Sequence, residues 1–217
     1  MNRIFGYDSP LVSALMKIGD CICASAMFLV FSLPIVTAGA SAAALYATIY
    51  RCVRREQTGL WQMFWDAFRE NFKRSTLAWL IELALLAVLT VDVFVLRSIK
   101  LSGGAMGNLY WLGLAVWLAA LTWTVYVAGY SARFNGSVRE VLKFGWMLMV
   151  LHPIRAVGVL LMVLAALVLV LIAPFMVLAA PAAVYWGGSV TLEKVFAQHL
   201  RPEDREKKEG KEMADDQ

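Results

Sequence analysis

The sequence predicts an all-α membrane protein, a bundle of five to six spanning helices with two amphipathic helices at the membrane surface. The first observation behind this class is composition: of 217 residues, 60% are hydrophobic and only 17% are charged. A soluble domain contains about 45–50% apolar and about 25% charged residues. Second, the apolar residues stand in runs that reach the ~20 residues needed to cross a bilayer. Third, these runs lack the alternation of strands, and an open sheet would leave backbone groups unpaired in lipid.

The first spanning helix is predicted over residues 10–33, where a Ser-Pro pair forms the helix start. The stretch SLPIVTAGASAAALY, residues 32–46, then interrupts the apolar run with Pro34 and with small or hydroxyl-bearing residues. A kink in one long helix would give five spans, whereas the turn of a hairpin would give six. Because residues 10–33 are already long enough to span alone, we favour the hairpin, with a second span over residues 38–53.

Two segments are predicted to lie in the headgroup plane as amphipathic helices. Residues 60–74 carry aromatic side chains on one helical face and charged side chains on the other, which is typical of an interfacial helix. A helix packed on the bundle is the alternative. Residues 138–151 also place apolar side chains at helical spacing, and Pro153 ends them. Each of the two segments precedes a long apolar span.

The remaining spans are predicted at residues 77–96, 110–132, 154–173 and 175–192. Residues 154–192 are too long for one crossing, and Pro174 and Pro181 interrupt them, so two crossings are expected. Residues 1–197 then form a single membrane domain. The tail, residues 198–217, mixes both charges with almost no apolar residue and is predicted to be disordered.

Basic residues indicate the orientation of the bundle. Lys and Arg concentrate in residues 51–74, in residues 133–155 and in the tail, which the positive-inside rule assigns to the cytoplasm. The hairpin alternative then puts the N-terminus in the cytoplasm as well. We therefore attribute the net charge of +4 to the basic residues that orient the bundle in the membrane, and we expect no nucleic-acid binding. The similar order of segments in residues 38–96 and 110–173 leaves an internal duplication open as an alternative.

Ionisable residues inside the spans are candidates for function, because lipid makes them costly. Glu82 could be a carboxylate that couples a proton or cation to transport. The alternative is a structural residue that pairs with Lys17 or accepts a hydrogen bond from a neighbouring hydroxyl. Lys17 and Asp20 stand three residues apart in the first helix and are predicted to form a structural pair.

The break after Pro34 holds a second set of candidates. Thr37, Gly39 and Ser41 could present carbonyl and hydroxyl groups to a solute or partner, since unwound backbone is tolerated where protein or water covers it. In the alternative, Thr37 and Ser41 cap the next helix in a tight turn. The alanines of residues 38–44 make a small-residue face for close helix packing, within the chain or with a partner helix.

No catalytic constellation is present in the sequence. There are two histidines, no Ser/His/Asp or Cys/His set with plausible geometry and no GxxxxGK[ST] phosphate loop. The three cysteines lack the paired spacing of metal ligands. We therefore expect a protein that is not an enzyme and that uses neither a cofactor nor a metal.

Three segments resemble the signature segments of the YesL-like family of bacterial membrane proteins, also described as domain of unknown function 624. They are FGYDSPL, FSLPIVTAGASAAALY and FWDAFRENFKRST. The matching positions include Pro34, Ile35, Val36, Thr37, Gly39, Ala40, Ala44, Leu45, Tyr46, Phe64, Phe68, Asn71, Phe72 and Lys73. Ala38 stands where the family usually has isoleucine. The resemblance covers most of the chain and is specific through residue 80, after which only hydropathy is similar.

The resemblance implies a multi-pass protein of the bacterial cytoplasmic membrane. Members often lie in gene clusters for carbohydrate utilisation, beside ABC-type sugar importers. The first hypothesis is therefore a non-enzymatic accessory protein that contacts the lipid bilayer and the subunits of such an importer. The alternative is a small-solute transporter with Glu82 and the broken first segment at its centre.

Overall fold

A computed structural model describes residues 10–51, 59–102, 105–134 and 136–199. These ranges contain seven α-helices and no β-strand, so the all-α prediction is confirmed for them. The helices are α1 (Pro10–Ser32), α2 (Ala38–Ile49), α3 (Leu60–Leu101), α4 (Leu109–Arg133), α5 (Val138–Leu151), α6 (Pro153–Ile172) and α7 (Ala180–His199). Short 3-10 turns connect some of them, at Ile35–Thr37, Ala105–Asn108 and Pro174–Leu178.

The first two helices form a hairpin rather than one kinked helix. Nine residues separate Ser32 from Ser41, a stretch of about 13 Å in a continuous helix. The two Oγ atoms nevertheless lie 2.9 Å apart. Ala24 of α1 also shares a buried cluster with Ala44 of α2. The chain therefore turns back at Pro34, whose missing N–H and ring disfavour continuation of α1.

α3 differs from the prediction. The sequence predicts separate helices at residues 60–74 and 77–96, whereas the structure has one helix of 42 residues. Leu60–Leu101 contains neither glycine nor proline, so no residue breaks the helix where its composition changes. Ser75 and Thr76, at the expected junction, are buried against the bundle. At ~1.5 Å per residue α3 is about 63 Å long, twice the ~30 Å of a hydrocarbon core.

The next three helices lie within one residue of their predicted bounds, because local signals mark them. Ser137 begins α5 with a capping box: its Oγ accepts the Glu140 N–H, and its own N–H donates to the Glu140 carboxylate at 3.0 Å. Pro153 then begins α6 directly after α5. α7 starts at Ala180, five residues after the predicted start at 175, because the 3-10 turn Pro174–Leu178 precedes it.

The predicted tail lies largely outside the described residues. Its first two positions, residues 198 and 199, belong to the end of α7, and residues 200–217 are not among the described ranges.

Within the described ranges, four helices are long and apolar enough to cross a membrane: α1 from Leu15, α3, α4 and α6. The segment Ile35–Ile49 is apolar but shorter. Large apolar side chains lie on the outside of the bundle, where Leu33 is 80% and Ile154 is 87% exposed. A soluble protein rarely exposes so continuous an apolar surface, and lipid is the solvent that such a surface suits. These observations support the prediction of a membrane protein.

α2 occupies the centre of the bundle and packs against α1, α3, α4 and α7. Nearly all its side chains are buried, and Ala40, Ala43 and Ala44 have no exposed surface. This face is therefore occupied within the chain. The alternative that it binds a partner helix is wrong for these three alanines, because the small side chains let the other helices approach the backbone of α2.

Candidate functional site

A cavity of about 180 Å³ lies where five helices meet. α1 contributes Phe28 to its wall, and α2 contributes the start of its small-residue face, including Gly39 and Ala42. α3, α4 and α7 supply the remainder. Most of the lining is apolar or aromatic; the side chains that bring polar atoms are Ser75, Trp79, Glu82, Thr124, Ser131 and Tyr185.

Among the described residues that line the cavity, Glu82 is the one with a carboxyl group. The residue is 2% exposed, and its Oε1 atom accepts no hydrogen bond from any described residue. The predicted structural partners, Lys17 or a nearby hydroxyl, do not satisfy this oxygen. Lys17 precedes Phe28, the α1 residue at the cavity, by 11 residues. That separation amounts to about 16 Å of helix, too far for a direct contact.

Beside the cavity, a network of polar side chains joins α3 to α4. The Ser75 and Ser131 hydroxyls are hydrogen-bonded to each other. Arg74 donates through Nη2 to the Ser131 carbonyl at 2.6 Å and to Asn71 Oδ1. Asn71 is buried, and its Nδ2 donates to the Ala67 carbonyl at 2.9 Å. The predicted candidate Asn71 thus holds Arg74 in place and does not line the cavity.

Two of the cavity's donors are already engaged elsewhere. Trp79 Nε1 donates to the Ile35 carbonyl at 2.8 Å, which ties α3 to the hairpin turn. Thr124 Oγ1 donates to the Leu121 carbonyl of its own helix, also at 2.8 Å. No Lys, Arg or His side chain is among the described residues of the cavity wall. The described wall therefore carries one acidic group and no basic one.

The hairpin turn lies next to the cavity, but its hydroxyls do not cap α2 as the sequence predicts. Thr37 Oγ1 instead donates to the carbonyls of Phe31 at 2.6 Å and Pro34 at 2.8 Å, at the end of α1. Ser41 donates back to the Thr37 carbonyl at 2.8 Å and contacts Ser32. Thr37, the residue before α2, makes no side-chain capping bond to this helix, and the Ser41 hydroxyl donates to a carbonyl, so the capping interpretation is wrong.

The structure brings together only part of the predicted site. Gly39 and Glu82 both line the cavity, whereas Asn71 lies beside it. Lys17 and Asp20 lie one turn apart on α1, both half-buried, and their pairing stays a prediction. Sequence reasoning missed Arg74, Ser75, Thr124, Ser131 and Tyr185. Three of them, Ser75, Thr124 and Ser131, could have been identified as hydroxyl residues within apolar helices.

A metal site is not apparent in the described ranges. They contain no group of three or more His, Cys, Asp or Glu residues that could hold a metal ion. The cavity's single carboxylate would also leave a hard cation short of the six or more oxygen ligands that Ca²⁺ takes.

Comparison with known proteins identifies one family that part of the chain matches. Residues 22–93 match the family model described as "Protein of unknown function, DUF624". The matched segment includes the hairpin turn, the buried face of α2, the aromatic start of α3 and Glu82. No curated protein and no solved structure matches the chain. The resemblance to the YesL-like family is therefore confirmed over residues 22–93, the part of the chain that the family model matches.

Proposed function

We propose that this protein binds a small solute in the Glu82 cavity and moves it across the membrane. Glu82 is the binding or coupling carboxylate in this proposal, which involves no covalent chemistry. The observation that carries it is the unpartnered Oε1 of a buried carboxyl group at a cavity. Ionisable residues in membrane helices are rare because they are costly, and they mark solute and proton pathways.

A purely structural role does not account for this oxygen. A glutamate that only held helices together would accept hydrogen bonds from a neighbouring helix, as buried polar groups usually do. A carboxyl group in this position either holds a proton or, when ionised, requires a counter-cation or a hydrogen-bond donor. Since the protein supplies no donor to Oε1 in the described ranges, a bound solute or ion is a natural source of one.

The accessory role beside an ABC-type sugar importer stays as the second candidate. The aromatic start of α3 supports it, because Trp61 is 61% exposed and Trp65 is 37% exposed. These two rings offer a surface to a partner subunit or to lipid headgroups. The small-residue face of α2 no longer supports this role, because the chain itself covers it.

Reconstitution into liposomes tests the proposed transport. Proteoliposomes are incubated with a filtered extract of bacterial cytosol, washed, and their contents identified by mass spectrometry. We expect at least one small solute to accumulate with the wild-type protein and to return to the level of protein-free liposomes with Glu82→Gln. The substitution keeps the size of the side chain and removes the charge.

The matched control is Asp92→Asn, because Asp92 is an exposed carboxylate on the same helix. This variant should accumulate the solute as the wild type does. If wild-type liposomes take up nothing beyond protein-free ones, the transport proposal fails. Stoichiometric recovery of an importer subunit with the tagged protein would then favour the accessory role.

A further inference from the structure

We propose that the solute of the Glu82 cavity is a small organic cation, a primary ammonium group on a short apolar chain. This inference rests on the proposed function, since it names the class of solute that the same site takes. It depends on three properties of the cavity wall: its charge, its hydrogen-bonding capacity and its aromatic surface.

The wall is acidic. Glu82 is the one carboxyl group among the described residues that line the cavity, and none of these residues is Lys, Arg or His. The neighbouring Arg74 is not among them, and its Nη2 is engaged with the Ser131 carbonyl and with Asn71. Arg74 also precedes Glu82 by eight residues, about 12 Å along α3. An anionic solute would meet an acidic wall without a compensating cation, whereas a cation would neutralise Glu82.

The hydrogen-bonding groups favour a donor. Trp79 Nε1 and the Thr124 hydroxyl both donate to backbone carbonyls. Ser75 and Ser131 bond to each other. Glu82 Oε1 remains as an acceptor without a donor. An ammonium group brings three donors and no acceptor, so it suits this wall. A carboxylate, in contrast, would meet the Glu82 carboxyl group with no Lys, Arg or His side chain among the described residues of the wall.

Aromatic surface and size restrict the cation further. Phe28, Trp79 and Tyr185 contribute rings to the wall, and the face of an aromatic ring attracts ammonium groups. The volume of about 180 Å³ holds roughly six groups of the size of a water molecule. The apolar part of the wall, including Val127 and Ala128, suits a short alkyl chain. A metal ion would gain little from such a lining.

Thermal unfolding of the purified full-length chain in mild detergent tests this inference. The probes are butylammonium chloride, n-butanol and sodium butyrate, which share a chain length and differ in charge. Titrations are run at constant ionic strength. We expect butylammonium alone to raise the unfolding temperature of the wild type in a saturable manner. Glu82→Gln should weaken its apparent affinity about tenfold or more, since a charge-assisted hydrogen bond is lost.

Two further variants keep the test decisive. Asp92→Asn should retain the wild-type response, because this exposed carboxylate lies outside the cavity. Ala42→Leu should abolish the response with Glu82 intact, since Ala42 lines the cavity and a leucine side chain would fill it. If Glu82→Gln does not fold, the response of Ala42→Leu decides the question.

The outcomes separate this inference from the proposed function. A Glu82-dependent response to butanol or butyrate, with none to butylammonium, overturns the cationic class and leaves solute binding in place. An equal response of the wild type, Glu82→Gln and Ala42→Leu to butylammonium places binding outside the cavity and also overturns the inference. Lack of any response, together with proteoliposomes that accumulate nothing, removes both proposals.

Discussion

Gly39 is a point of close approach between α2 and α3. A Cβ atom at this position would lie 2.3 Å from Trp79 Cβ and 2.6 Å from the Ser75 carbonyl oxygen. Both distances are far below van der Waals contact, and one neighbour is backbone, which cannot move aside independently. The glycine thus permits the close crossing that brings Ser75, Trp79 and Glu82 to the cavity.

Replacing Gly39 by alanine should destabilise the protein. We expect the free energy of unfolding to fall by ~1–3 kcal/mol, because overpacking displaces α2 from α3. Reversible denaturation in mixed micelles, followed by tryptophan fluorescence, measures the change. Gly158→Ala is the matched control, since nothing lies within 4 Å of its added Cβ. Alanine favours a helix over glycine, so this control should be neutral or slightly stabilising. Equal effects of the two substitutions would contradict the packing argument.

At this scale the sequence identifies important residues better than it identifies their roles. Gly39 and Glu82 stand out from the sequence alone, one in the interruption of an apolar run that begins at Pro34 and the other as a carboxyl group within a span. Whether Glu82 has a partner depends on α4 and α7, which follow far along the chain. Trp79 likewise contacts the hairpin turn at Ile35 through a hydrogen bond that no local pattern predicts.

Among the helices, α3 and α4 are joined by a buried polar contact as well as by apolar packing. Ser75 and Ser131, 4% and 1% exposed, share a hydrogen bond. Arg74 adds a bond from its guanidinium to the Ser131 carbonyl. The contact lies at the cavity wall, so it fixes the distance between the two helices at the height of the proposed site.

A double-mutant cycle on Ser75 and Ser131 tests this contact. Either single alanine substitution should lower the free energy of unfolding by ~1–3 kcal/mol, because it leaves the other hydroxyl buried without its partner. The double substitution should lower it by less than the sum of the two, since both hydroxyls are then gone. Denaturation of the four proteins in the same micelles measures the coupling. Strict additivity would show that the two hydroxyls do not interact.

The bounds of individual helices were predictable where a residue marks them chemically. Ser137 with Glu140 begins α5, and Pro153 separates α5 from α6. The division of α3 was wrong because it followed a change of composition near Ser75 without any residue that breaks a helix. Hydropathy indicates the surroundings of a helix. Glycine, proline and capping residues indicate where the helix begins and ends. The interfacial position predicted for residues 60–74 and 138–151 stays a prediction.

For the whole molecule, α3 indicates how the bundle is oriented in the membrane. The segment 51–74, which leads into this helix and includes its start, has six Lys and Arg residues, and the segment 97–100 at its other end has two. At the second end, Lys100 Nζ lies 3.8 Å from the centre of the Trp111 ring. Aromatic and basic side chains of this kind are common at membrane interfaces. The asymmetry predicts a cytoplasmic start and an external end for α3.

Cysteine labelling at the two ends of α3 tests this orientation. In a background that lacks Cys21, Cys23 and Cys52, single cysteines replace Gln62 or Ser102, which are both exposed and uncharged. A membrane-impermeant maleimide should label Ser102→Cys in intact cells, and Gln62→Cys only after permeabilisation, because α3 is long enough to cross once. Denatured samples serve as the control for thiol reactivity. Labelling of both positions from one side would show that α3 does not cross the membrane. The reverse pattern would place the basic end outside, against the charge rule, and would also move the proposed cytoplasmic N-terminus to the other side.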